Sequence, residues 1–157
     1  MAVILLSGLL IAGFDDQRPK MSDLAWAKEL DRPRALAVST DLATSFPLAR
    51  KIGAIWVDRS HSQWVARYTS FALQFGRLTE SQRRLYLHYY QQDLEWILRR
   101  IEEVVPDLII EDVRPEMSWI TRRLAAIKPN FLDEYETVAE EGGIRVRKHR
   151  TGTAKPN

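Results

Sequence analysis

Ala35-Leu36-Ala37-Val38-Ser39-Thr40-Asp41 is the stretch on which the fold turns. Four successive apolar residues without polar alternation suit a strand covered on both faces of a parallel sheet. The Ser-Thr-Asp that follows is the chemistry a chain uses to leave a strand and start a helix. The pattern recurs twice. Ala54-Ile55-Trp56-Val57 runs into Asp58-Arg59, and Leu108-Ile109-Ile110 runs into Glu111-Asp112. The second of these runs is expected at the centre of the sheet, with Ile55 in the core.

Helical stretches separate the three runs. Phe46 to Ile52 reads as a short helix with Pro47 in its first turn and Gly53 as its stop. Trp64, Val65, Tyr68, Phe71, Ala72 and Phe75 recur at helical spacing and form one broad apolar stripe, ended by Gly76. Thr79 with Gln82 makes a capping box for a helix carrying Leu87, Tyr90, Leu94, Ile97, Ile101 and Val104 on one face, as far as Pro106. Pro115 opens another, with Met117, Ile120, Leu124 and Ile127 inward. Upstream, Ser22 is placed to cap a helix through Leu24, Trp26, Ala27 and Leu30, closed by Pro33.

Gly142-Gly143 between Thr137-Val138-Ala139 and Ile144-Arg145-Val146-Arg147 signals a hairpin, because such turns need positive φ. The alternation after the glycines suggests a sheet-edge strand with one wet face. The expected fold is therefore α/β: a small Rossmann-like three-layer domain of three parallel strands plus a C-terminal β-hairpin, preceded by a short apolar helix. It occupies residues 21–150, and Thr151 to Asn157 reads as a disordered tail.

The 157 residues suffice for one domain with a sizeable core. The absence of cysteine excludes disulfides, thiolate metal sites and Cys nucleophiles without fixing the compartment. A formal charge of +2 is too slight to imply nucleic acid. Arginine pairs at 83–84, 99–100 and 122–123 read first as solvated helix faces and next as attraction to anionic lipid. Ala2 to Phe14 is almost wholly apolar, yet shorter than the roughly 20 residues a spanning helix needs. Three readings stay open for residues 1–20: the stump of a transmembrane helix, which we expect, a buried element, or a poor signal sequence.

The strand ends define the candidate ligand crevice: Ser39, Thr40 and Asp41, then Asp58 and Arg59, then Glu111 and Asp112, with His61 and Arg114 nearby. Such a set suits a sugar, a phosphate or a metal. Helix capping and turn chemistry are the simpler reading and by themselves explain most of these residues, and in that case each Asp→Asn change costs about 1 kcal/mol or less. Glycine-rich phosphate loops, the H-E-x-x-H metal spacing and the G-x-S-x-G elbow are all absent from the sequence. We assign no catalytic residue, no metal ligand and no cofactor. His88, among Tyr86, Tyr89 and Tyr90, reads as a packing or helix-surface residue.

Three stretches together carry a resemblance. Ala37-Val38-Ser39-Thr40-Asp41 with Phe46-Pro47-Leu48, Gly53-Ala54-Ile55-Trp56 and Arg59 is the first. Pro106-Asp107-Leu108-Ile109-Ile110 is the second, and Phe131, Tyr135, Val138-Ala139, Gly142-Gly143 and Val146 form the third. In this order the segment Arg34 to Arg150 resembles the C-terminal soluble domain of bacterial polytopic membrane proteins of the GT-C glycosyltransferase type. The resemblance implies an extracytoplasmic domain beside a transmembrane bundle that takes a polyprenyl-phosphate-linked sugar. It carries over no catalytic residue, since the family's acid and metal site belong to parts with no counterpart here. Arg18, Lys20 and Lys28 after the apolar run pull the other way on sidedness.

The expected role is a non-catalytic, membrane-associated domain that supports substrate recognition or partner contact. Its partners would be the membrane surface or a transmembrane portion, with a lipid-linked sugar and without nucleic acid. The competing role is a stand-alone soluble enzyme or sugar-nucleotide binder using the strand-end crevice. A basic nucleic-acid-binding module ranks third.

Overall fold

The computed structural model describes residues 21–150, so the apolar run and the C-terminal tail lie outside the described residues. The fold is α/β, an open mixed sheet of five strands with four helices. The strands are β1 (Arg34–Val38), β2 (Ile55–Trp56), β3 (Leu108–Asp112), β4 (Tyr135–Glu141) and β5 (Ile144–His149), in the order β2-β1-β3-β5-β4. β1 pairs in parallel with β2 and β3, and β5 runs antiparallel to both β3 and β4. The helices are α1 (Leu42–Lys51), α2 (Trp64–Phe75), α3 (Glu80–Val104) and α4 (Trp119–Ile127).

Alternation along the central strands builds a core on each face of the sheet. Leu36, Val38 and Ile109 pack with Ala66 of α2, Leu94, Ile97, Leu98 and Ile101 of α3, and Ile120 and Leu124 of α4. Ala35, Leu108 and Ile110 pack with Leu48 and Ala49 of α1, Ile144 and Val146 of β5, and Met21. Burial on both faces is why β1 and β3 read as unbroken apolar runs. Gly142 and Gly143, at φ 58° and 83°, form the two-residue loop between β4 and β5.

Several expectations need correction. β2 is an edge strand of two residues, and Ile55 is 43% exposed, because the chain crosses from β2 past β1 to β3 and leaves β2 paired on one side only. β5 is interior and β4 is the edge. The polar residues of β5 looked wet, but Arg147 meets the buried Glu111 and Arg145 bonds Glu140. The helix expected from Ser22 is one 3-10 turn, Ala25–Ala27, and Ser22 instead donates to the Glu141 carboxylate. α1 starts at Leu42 rather than Phe46, because the Asp41 carboxylate caps it through the Ala43 N–H at 3.0 Å. Met117 precedes α4, and Ile127 at its end faces solvent.

The largest departure concerns α2. Its buried residues are Ala66 and Thr69, while Trp64, Tyr68, Phe71 and Phe75 face solvent. At 100° per residue these four aromatics fall within about 60° of one another, opposite the buried face. The stripe exists, and it points outward. Small residues on the inner face let α2 lie close against α3, where the Asp93 carboxylate accepts the Ala66 N–H at 3.0 Å and caps the first turn of α2.

Candidate functional site

Of the seven candidate residues, four converge at the ends of β1 and β3. Asp112, fully buried, receives Arg114 Nη2 at 2.6 Å and Thr44 Oγ1 at 2.8 Å on one oxygen, with Ser39 Oγ 3.4 Å from it. Its other oxygen receives the Arg114 Nε at 3.0 Å and backbone N–H at 3.2 Å. The same Nη2 donates to Asp41 at 2.8 Å, and Ser39 Oγ both accepts from Asp41 N–H and donates to the Asp41 carbonyl. Thr40 is buried beside them, with a hydroxyl that meets no partner among the described residues.

This geometry follows from local chemistry. Asp41 is the N-cap of α1, Thr44 is one turn in, and Arg114 sits two residues past the end of β3. Gly143 of the hairpin loop lies so near Arg114 that a Cβ there would stand 2.5 Å from Arg114 Cγ. The arginine is thus clamped between the β4–β5 loop and two carboxylates. Burial pushes the Asp41 carboxyl up, but the Arg114 and Ala43 hydrogen bonds and the charges of Arg114 and Arg67 outweigh it. The net result is a carboxyl below its ordinary value. Hydrogen bonding to Asp112 raises Arg114 further, so the guanidinium stays charged at any accessible pH.

A general base needs a free lone pair within reach of a substrate proton. Asp112 accepts four hydrogen bonds on its two oxygens, from Arg114 and Thr44, and is fully buried, which leaves no lone pair turned to a substrate. The network is a tie-rod joining β1, α1, β3 and the hairpin loop. A further tie extends β1: the Gln63 side chain accepts the Ser39 N–H at 2.8 Å and donates to the Ala37 carbonyl at 3.0 Å. Gln63 thereby imitates a neighbouring strand.

The remaining three candidates go elsewhere. Glu111 is buried beneath α4, where Arg147 and Thr121 donate to it. Asp58 and Arg59 line an open groove of about 580 Å³ between β2 and α3, with Arg34, Trp56, Trp96 and Arg100. Asp58 accepts the Trp96 indole N–H at 2.8 Å, and Arg59 lies 4.5 Å over the Trp96 ring while bonding Asp93 at 2.9 Å. Arg100 donates to the Val57 carbonyl, and its buried Nε meets no partner among the described residues. His61 packs between the Phe46 and Trp56 rings, and His88 is exposed beside Tyr89.

No family model, curated protein or solved structure matches the chain. The site therefore rests on its own chemistry. Among the described residues, no three His, Asp or Glu side chains converge as a metal site would require, and no helix is long and apolar enough to cross a membrane.

Sequence reasoning missed Thr44, Gln63, Asp93, Trp96 and Arg100 as members of these arrangements. One of them left a signal. Asp93 shares a helix face with Tyr90, Leu94 and Ile97, and an acid at a core position must have a partner.

Proposed function

We propose that the chain is a non-catalytic, membrane-associated α/β domain that supports substrate recognition or partner contact. In its finer form the reading is a small Rossmann-like three-layer domain, akin to the extracytoplasmic C-terminal domain of a GT-C-type membrane protein. The observation that carries it is the closure of the Asp112–Arg114–Asp41 network, which occupies the strand ends where a ligand would otherwise react. The apolar run Ala2–Phe14, outside the described residues, supports the membrane part. On this reading the full chain co-sediments with membranes, and titration of divalent metals produces no saturable heat. Micromolar metal binding, or hydrolytic activity lost in a folded Asp58→Asn variant, would overturn it.

The groove favours a second reading, a sugar-nucleotide binder. Its 580 Å³ lies within the range of small-molecule sites, and Arg34, Arg59 and Arg100 surround two indoles that suit a ring bearing phosphates. Calorimetric titration of nucleotide sugars into wild type and Arg100→Gln decides it: saturable binding lost in the variant supports this second reading.

A further inference from the structure

A surface helix ordinarily turns its apolar stripe to the core. α2 does the reverse: Trp64, Tyr68, Phe71 and Phe75 are each between 59% and 64% exposed, while Ala66 and Thr69 are buried. Four large aromatics in one outward row exceed the scattered surface apolars of ordinary proteins and mark an interaction face. α3 adds exposed Leu85, Leu87 and Tyr89.

The position of this face matters as much as its composition. The Asp93–Ala66 bond sets the level at which the helix pair leaves the core. The α3 side chains in that core begin at Leu94, with Tyr90 packed against it. Glu80 to Tyr89 therefore runs about 15 Å beyond the last core contact, and α2 is the helix packed most extensively along α3. The Thr79–Gln82 capping box starts the returning helix, so the hairpin is built to hold its shape.

Charge selects the occupant. Between His61 and Gln92 stand four exposed arginines (Arg67, Arg77, Arg83 and Arg84) against one acid, Glu80, which leaves +3 in this segment of a chain whose whole formal charge is +2. Trp, Tyr and Phe beside Arg, with almost no carboxylate, is the composition of a helix lying at a bilayer interface. A second copy fits worse, because a two-fold pairing of this face brings one arginine set against the same set.

We propose that the α2–α3 hairpin docks on anionic lipid, its aromatic row entering the headgroup layer and its arginines holding lipid phosphates. This rests on the membrane-associated reading above and names the element that makes the contact. Because the chain has no cysteine, a single Gln74→Cys on the flank of the row takes one environment-sensitive dye, and Glu136→Cys on β4 serves as control. In the full chain, vesicles containing phosphatidylglycerol should shift the Gln74 dye to the blue, while phosphatidylcholine vesicles should not. The Glu136 dye should stay silent. The triple variant Trp64→Ser, Phe71→Ser, Phe75→Ser should weaken hairpin insertion by about a hundredfold or more. Arg83→Gln with Arg84→Gln should weaken it roughly tenfold or more and erase the lipid preference. All these side chains are exposed, so native helicity should persist in both variants, and either one alone tests the proposal. If the full chain pellets with vesicles while the Gln74 dye stays silent and the triple variant binds equally, the hairpin is not the contact and the membrane reading survives. Failure to bind any vesicle overturns both. A dye shift in buffer alone, with a dimer dispersed by the triple variant, assigns the face to a second copy and overturns the lipid proposal.

Discussion

The C-terminal end of the sheet and the helical hairpin that rises from it depart from expectation in opposite directions. At the strand ends, residues that look ready for a ligand are bound to one another: Asp112 and Asp41 share Arg114, and Ser39 and Thr44 complete the set. On α2, residues that look destined for the core face outward. In both places residue type and spacing are read correctly, and the partner is not. A carboxylate after a strand requires a donor without saying whose. An aromatic row requires an apolar neighbour without saying that it belongs to this domain.

Asp112→Asn gives the sharpest test of that contrast. If Asp112 were only a cap, the amide would cost about 1 kcal/mol or less. Buried against Arg114 it should cost about 3 kcal/mol, since the amide removes the charge and sets an N–H donor where the carboxylate accepts from Arg114 and Thr44. Urea unfolding reads the difference, and a near-wild-type midpoint would dissolve the tie-rod. Ile97→Ala on the inner face of α3 should cost about 2–4 kcal/mol through the cavity it leaves.

Asp41→Asn is smaller, about 1 kcal/mol at neutral pH after allowing for its partial exposure, because the amide still caps α1. Its pH dependence has a definite sign. The folded carboxyl lies below its ordinary value, so its contribution is complete above the unfolded value near about pH 4 and is lost as pH falls through the folded one. The variant lacks this term. Wild type and Asp41→Asn should therefore converge in stability under acid, and a gap that stays constant down to low pH would count against the Arg114 pairing.

Phe71→Ser should do least, within about 0.5 kcal/mol, although it removes a phenyl ring from a helix. A loss comparable to that of Ile97→Ala would mean that the row is covered within the folded domain, and the contrast between the two regions would fail.

Much of this protein is determined by its sequence. Doubly apolar runs at 35–38 and 108–110 mark the central strands, where their residues find cover on both faces, although the same pattern at 54–57 ended on the sheet edge. The Thr79 capping box and the Gly142-Gly143 turn are local, set by hydrogen bonds and φ within a few residues. Asp41 as a helix cap is local too. Only the tertiary structure decided the rest, because each remaining feature depends on residues far apart in the chain. Sheet order put β2 at the edge and exposed Ile55. Arg114 reached back across the sheet to Asp41, and Arg147 neutralised Glu111 from another strand. The inner face of α2 was settled by close packing: the small residues Ala66 and Thr69 let α3 approach, and the aromatics opposite them had nowhere to go but out.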